Sequence, residues 1–187
     1  YMYTPSPELR EFVQSLEKTE THLHLEGSCP VEMIKEVNPG LFKGDPPMWA
    51  DDFRYDNFDQ FMQMYEKFSS SVFISADAYH RCAKSVLKKC ADQNVKYVET
   101  SFHIGSLFYE DIDGKEVVDA VLSAAPDGVL VRVFIGMCHN DYRGKGKEII
   151  DDCIKWDRLS GIDLHGPEYL PLESWTSEVW RLSLIHI

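Results

Sequence analysis

The sequence predicts an α/β fold with parallel strands joined by right-handed crossovers. Three observations predict it. Strand-like and helix-like segments alternate four times along the 187 residues. The third strand, Val129 to Met137, is a nearly continuous apolar run of the kind a buried parallel strand carries. Polar residues gather where each strand ends: His24 and Glu26, then His103, then His139-Asn140-Asp141, then His165-Gly166. In folds of this class the site lies at the C-terminal ends of the strands.

Residues 7 to 17 read as a helix. Ser6 can cap it, Pro7 suits its first turn, and Leu9, Phe12, Val13 and Leu16 form its apolar stripe. The stripe is assigned to packing, under the open bottom of a barrel. Strand one follows at Glu20 to Gly27. Pro30 to Val37 is a short helix, and Asn38 to Pro47 is a Gly- and Pro-rich loop. After Asp56-Asn57, the residues Phe58, Phe61, Met62, Tyr65 and Phe68 define one aromatic helix face. That face reads either as core or as the apolar wall of a ligand site. Ser75 caps a helix over Ala76 to Gln93 that buries Tyr79, Cys82, Ala83, Val86 and Leu87, with His80 off the stripe and on the surface. Strand two is Val95 to Phe102. A helix through Val117, Val118, Val121 and Leu122 stops at Pro126-Asp127-Gly128. Strand three is followed by a helix through Ile149, Ile150, Cys153 and Ile154. Strand four is Gly161 to Leu164, and a last helix starts near Leu172 or Glu173. About seventy residues separate strands one and two, far more than one crossover needs, so extra helices fill that gap.

The stretch Glu20-Thr21-His22-Leu23-His24-Leu25-Glu26-Gly27 carries the strongest chemical signal. With the period of two of a strand, His22, His24 and Glu26 share one face. Alternate residues on a strand bring two imidazoles within reach of one metal ion. A half-buried strand with two hydrogen-bonded histidines explains the same pair. The carboxylate in phase and the strand end just before Gly27 favour the metal.

Composition excludes several classes. A net charge of −12 argues against nucleic acid as a partner. The five cysteines form no CxxC pair and no secretory signal precedes them, so they are expected to be reduced, mostly buried thiols of a cytoplasmic protein. No apolar run approaches a membrane span, so no membrane partner is expected.

The run from Glu20 through Gly27 to Ser28 resembles the first zinc motif of the adenosine deaminase family, metal-dependent amidohydrolases built on a TIM (β/α)8-type barrel. Gly161-Ile162-Asp163-Leu164-His165-Gly166-Pro167-Glu168 resembles that family's fourth-strand motif, and departs from its commonest form at His165 and Pro167. The resemblance implies a barrel truncated to about its first four βα units, with extra helices after strand one. It implies zinc-dependent hydrolytic deamination of adenosine, a purine nucleoside, by attack at C6 of the ring with loss of ammonia. Zinc lowers the pKa of a bound water for that attack. His22 and His24 would be metal ligands, Glu26 would hold the ribose hydroxyl, and the backbone at Gly166 would meet the purine ring. A carboxylate at Glu26 argues against a 5′-phosphate. An adenine or modified-adenine-nucleoside deaminase is the alternative, and a degenerate barrel half acting as a binding module is the non-catalytic one. The family's third zinc histidine, general-acid glutamate and zinc aspartate follow strands five to eight, so no catalytic residue of that set is expected here and the fragment is expected to be inactive. Residues 182–187, Leu182-Ser183-Leu184-Ile185-His186-Ile187, look like a translated transposon end from library preparation. They are expected to be a non-native tail behind a barrel half of residues 1–181. Open barrel edges leave such a half prone to self-association.

Overall fold

The computed structural model describes residues 5–167 and 169–186. Glu168 and Ile187, which close the second motif and the expected tail, lie outside the described residues. The architecture is α/β. Four parallel strands run in the order β1-β2-β3-β4: β1 (Lys18–His24), β2 (Val95–His103), β3 (Leu130–Cys138) and β4 (Gly161–His165). This is half of a barrel wall, each strand joined to the next by helix.

Strand register sorts the side chains to two faces. Val98 and Phe102 of β2, Val131, Val133, Ile135 and Met137 of β3 and Ile162 of β4 are buried on the helix-covered face. There α4 (Ala76–Asp92) packs against β2 and α6 (Gly114–Ser123), and α6 packs on β3. α7 (Gly144–Cys153) adds Ile150 and Cys153 to the same core. Each CH₂ buried there contributes roughly 0.8 kcal/mol. The opposite face carries His22, His24, Ser101, Arg132, Phe134, Asp163 and His165, and it is the concave side of a barrel wall. Among the described residues, β1 and β4 each pair on one side only.

The helices start where capping chemistry allows. Ser6, Asn57, Ser75 and Asp113 each accept a backbone N–H at the first turn of α1 (Pro7–Ser15), α3 (Phe58–Val72), α4 and α6. α2 (Val31–Val37) sits where expected. α5 (Gly105–Glu110), directly after β2, is an element that its six residues are too few to announce by periodicity. α8 (Trp175–His186) starts later than expected and continues into residues 182–186.

Three expectations are corrected. α1 ends at Ser15, and its stripe is not packed: Leu9, Phe12, Val13 and Leu16 are all exposed. Four strands do not close over that helix, which is tied instead by Gln14 to the Asp92 carbonyl and by Asn94 to the Ser15 carbonyl. His80 is half-buried rather than a surface residue, because its Nδ1 reaches the Ala120 carbonyl of α6 at 3.0 Å. Strand one stops at His24. Leu25 is already in helical conformation, and Glu26 opens a 3₁₀ turn (Glu26–Ser28), so Glu26 leaves the strand's alternation. No helix among the described residues is long and apolar enough to cross a membrane.

Candidate active site

The chemistry collects at the C-terminal edge of the sheet. The Nε2 atoms of His22 and His24 lie 3.1 Å apart. Asp163 Oδ2, from β4, lies 3.2 Å from His22 Nε2 and 3.4 Å from His24 Nε2. Two donors on a tetrahedral ion at about 2.0–2.1 Å would be separated by about 3.3 Å. The triangle therefore has the spacing of donors that could hold one cation. Sequence reasoning supplied the two histidines and passed over Asp163. The signal was present: with a period of two, Asp163 and His165 share one face of β4.

Four imidazoles form a row from β1 across the sheet. His22 and His24 have ring centroids 5.0 Å apart, His24 stacks on His165 at 4.1 Å, and His165 lies 5.4 Å from His103. His165 is buried, with Nε2 at 3.1 Å from both Asp163 Oδ2 and Ser101 Oγ. Gly136 of β3 makes room for this ring, since a Cβ there would come within 2.0 Å of His165 Cε1. Gly136→Ala is expected to lower stability by about 1–3 kcal/mol by overpacking, read as a reduced midpoint in urea unfolding. An unchanged midpoint would show that the ring sits elsewhere.

Charge on these groups follows from their contacts. The hydrogen bond to Asp163 raises the His24 pKa above the ordinary histidine value, outweighing partial burial. For Asp163, burial pushes the carboxyl up, but hydrogen bonds from His165 and His24 together with the charge of His165 hold it below the ordinary carboxylate range. It is therefore an anionic acceptor among imidazoles. A metal would replace protons at the Nε2 atoms of His22 and His24, so its affinity falls as pH drops through the histidine range.

Glu26 is buried beneath this row. Its Oε1 accepts the Tyr79 hydroxyl at 2.8 Å and the His103 backbone N–H at 2.7 Å. Its Oε2 has the Tyr65 hydroxyl at 3.5 Å. Ser106 Oγ lies 2.8 Å from the same Tyr79 oxygen and supplies a donor there, which leaves the phenol proton to the carboxylate. Burial, then the charge of Glu26, raises both phenols far above the usual tyrosine range, so they remain donors. Oε1 is thus occupied, and Glu26 lines a cavity of about 710 Å³. The wall of that cavity includes Met62, Tyr65 and Glu66 of α3, with His103, Ser106 and Cys138. The aromatic face of α3 therefore has two parts: Phe68 is buried in the core, and Tyr65 and Met62 line the cavity. Glu26, Glu66, Glu110 and Asp141 line it too, and among the described residues no lysine or arginine does.

Gly166 follows β4 at φ +103, a conformation glycine adopts without strain, and stands against Cys138 and His139. His103 lines the cavity, while His139 sits in the turn after β3, where Trp175 donates to its carbonyl at 3.1 Å.

A second cluster, His103, Cys138 and Asp141, brings three donor atoms together. It does not fit a metal. His103 Nδ1 accepts the Gly105 N–H at 2.7 Å, so the neutral ring carries its proton on Nε2, the atom that faces Cys138 Sγ at 3.3 Å. Burial and the neighbouring His165 lower the His103 pKa and keep that ring neutral. Burial, with the charges of Asp141 and Glu66, pushes the Cys138 thiol up to about 12, so it holds its proton as well. All five cysteines are free thiols, three of them buried.

Comparison with known proteins bears on the family and the fold. The family model described as adenosine deaminase matches residues 17–177. The chain is 22% identical over 170 residues to an adenine deaminase of Chlorobium luteolum, covering 84% of this chain and 49% of that protein. It therefore spans about half the length of the curated relatives it matches. Among solved structures, a zinc-bound amidohydrolase from Burkholderia ambifaria superposes with a TM-score of 0.74 at 17% identity, covering 98% of this chain and 53% of the other. An Arabidopsis structure in complex with IMP gives a TM-score of 0.70 at 16% identity, covering 94% and 57%. These neighbours are full barrels of which this chain matches half. With the first motif, the fourth-strand motif and most of the chain inside one family match, the chain belongs to the adenosine deaminase family.

Proposed function

We propose that this chain is the N-terminal half of a zinc-dependent deaminase acting on an uncharged 6-aminopurine, with adenosine as the substrate. The observation that carries this reading is the meeting of His22 and His24, with Asp163 close to both, at the spacing of donors around one ion. A bound zinc ion supplies activation of water near neutral pH. The chain's own residues do the rest of the work assigned here. His22 and His24 hold the ion. Glu26 offers Oε2 to a ribose hydroxyl while Tyr79 and the His103 N–H fix the other oxygen. Gly166 lets the main chain approach a flat ring without a Cβ in the way.

The carboxylates around the cavity, with no lysine or arginine among its lining residues, favour the nucleoside over a 5′-nucleotide. Adenine is the second reading, because the similar curated proteins carry the name adenine deaminase. The test is kinetic. A protein carrying this chain and the complementary barrel half is assayed on adenosine, adenine and AMP by ultraviolet absorbance. Preference for AMP would sink the assignment of Glu26. The acidic surface makes nucleic acid an unsuitable partner, free thiols favour a cytoplasmic protein, and open sheet edges favour association with a second copy or a complementing half.

Glu26→Gln tests the binding role directly. The amide oxygen can keep the Tyr79 and His103 contacts, so the change falls on the Oε2 position. Losing one hydrogen bond to a charged group costs about 1.5–3 kcal/mol, or roughly 10–100-fold in kcat/KM. Zinc content should stay the same by elemental analysis, because Glu26 is not a ligand. A variant that loses its zinc would place Glu26 in the metal site instead.

A further inference from the structure

We infer that His103 and Cys138 are positioning residues that tie together the two points at which this site meets its substrate, the carboxylate of Glu26 and the backbone turn at Gly166. The inference rests on the deaminase reading above, and it gives the His103 ring and the Cys138 thiol the role which that reading leaves open. His103 closes β2, and each of its nitrogens is engaged. The backbone N–H donates to Glu26 Oε1 at 2.7 Å. Ring Nδ1 accepts the Gly105 N–H at 2.7 Å, so Nε2 carries the proton and donates to Cys138 Sγ at 3.3 Å. Cys138 closes β3, where its own N–H donates to Asp141 Oδ2 at 2.6 Å. Its sulfur stands against Gly166, since a Cβ at 166 would lie 3.3 Å from Sγ. The link thus runs from Glu26 through His103 and Cys138 to Gly166, with one residue at the exit of each strand.

The local sequence makes room for this link. Glycine at 105 lets the His103 ring fold back over its own chain, since a Cβ there would come within 2.9 Å of Nδ1. His103 and Cys138 both line the cavity that Glu26 lines. A nucleoside touches both ends of the link at once, with its ribose at Glu26 and its base at Gly166. Slack between those ends weakens the hold on the whole ligand and leaves the metal-binding histidines alone. The loss therefore falls on KM rather than on kcat. A single neutral hydrogen bond is worth about 3–10-fold in such a measurement.

The test has two arms. The first uses the purified chain with nitrogen-15 in its histidines. Long-range nitrogen–proton correlation at neutral pH should show His103 with its proton on Nε2, its signals identified by their loss in His103→Asn. A proton on Nδ1 overturns the inference, because Nε2 then has nothing to donate. The second arm measures adenosine kinetics in a protein carrying this chain and the complementary barrel half. His103→Asn keeps an acceptor for the Gly105 N–H and removes the donor to sulfur. Cys138→Ala removes the sulfur. Each should raise KM about 3–10-fold, with kcat and zinc content within about twofold of the parent. The double variant should be no worse than either single one, because both break the same contact. His103→Gln, which keeps a donor at the Nε2 position, should restore most of the KM. Effects that multiply in the double variant overturn the inference. So does a folded His103→Asn with the parent's KM, or a loss that falls on kcat. A parent without deaminase activity would sink the functional reading, and this inference with it. An active parent with multiplying effects sinks the inference alone.

Discussion

Replacing His24 with alanine, in a protein that carries this chain and the complementary barrel half, is expected to lower deaminase kcat/KM by about a thousand-fold or more. The metal's Lewis-acid contribution is worth several kcal/mol, and each ~1.4 kcal/mol is a factor of ten in rate. His24 is the more constrained of the two strand-one histidines. Its ring stacks on His165, and its Nε2 faces both His22 and Asp163. Alanine removes one donor of the triangle and the surface on which His165 rests. Metal content should fall with activity, measured by elemental analysis after dialysis. His80→Ala is the matched control. That ring bridges α4 to the Ala120 carbonyl and Ser123, away from the sheet edge. Its loss is expected to cost about 1 kcal/mol of stability and to leave turnover within twofold. A His24→Ala protein with its metal and activity intact would show that His22 and His24 are ordinary hydrogen-bonded strand residues.

Much of this site was legible in the sequence because strands translate spacing into facing directly. His22 and His24 share a side of β1 by period alone, and their Nε2 atoms do meet. The alternation of strands and helices, the long apolar run of β3 and the caps at Ser6, Asn57, Ser75 and Asp113 are local features, written in neighbouring residues. What the sequence concealed depends on contacts distant along the chain. Asp163 lies 141 residues from His22, and nothing at either position announces the other. Tyr79 reads as one more core aromatic on the buried stripe of α4, yet its hydroxyl holds Glu26. Glu26 itself was misplaced by extending the strand's period past His24, where the backbone turns helical at Leu25. The exposed stripe of α1 shows the opposite limit. Its apolar pattern is real, and the partner that pattern asks for is not among the four strands described.

The 187-residue chain alone is expected to show no deaminase activity above background, even with added zinc, and to associate in solution. The His22 side chain, one of the proposed metal donors, is 68% exposed. The concave face that would enclose a substrate is one wall of a barrel, open to water. In such a site the charges are screened and water is not excluded, so electrostatic stabilisation of a reaction is weak. The groups that the family resemblance assigns to strands five to eight are not expected among these residues. Association follows from the same incompleteness. β1 and β4 present unpaired backbone donors and acceptors, which are templates for another strand. Beside β4, an apolar recess of about 310 Å³ lined by Met137, Ile162, Leu172, Trp175, Val179 and Trp180 stays open, and the α1 stripe is exposed at the other end of the sheet. The net charge of −12 opposes self-contact, so salt should promote it by screening. The measurement is sizing chromatography across a range of protein and salt concentrations, with an adenosine assay on each fraction. A monomer at every concentration that also deaminates adenosine would mean that these four strands form a complete enzyme.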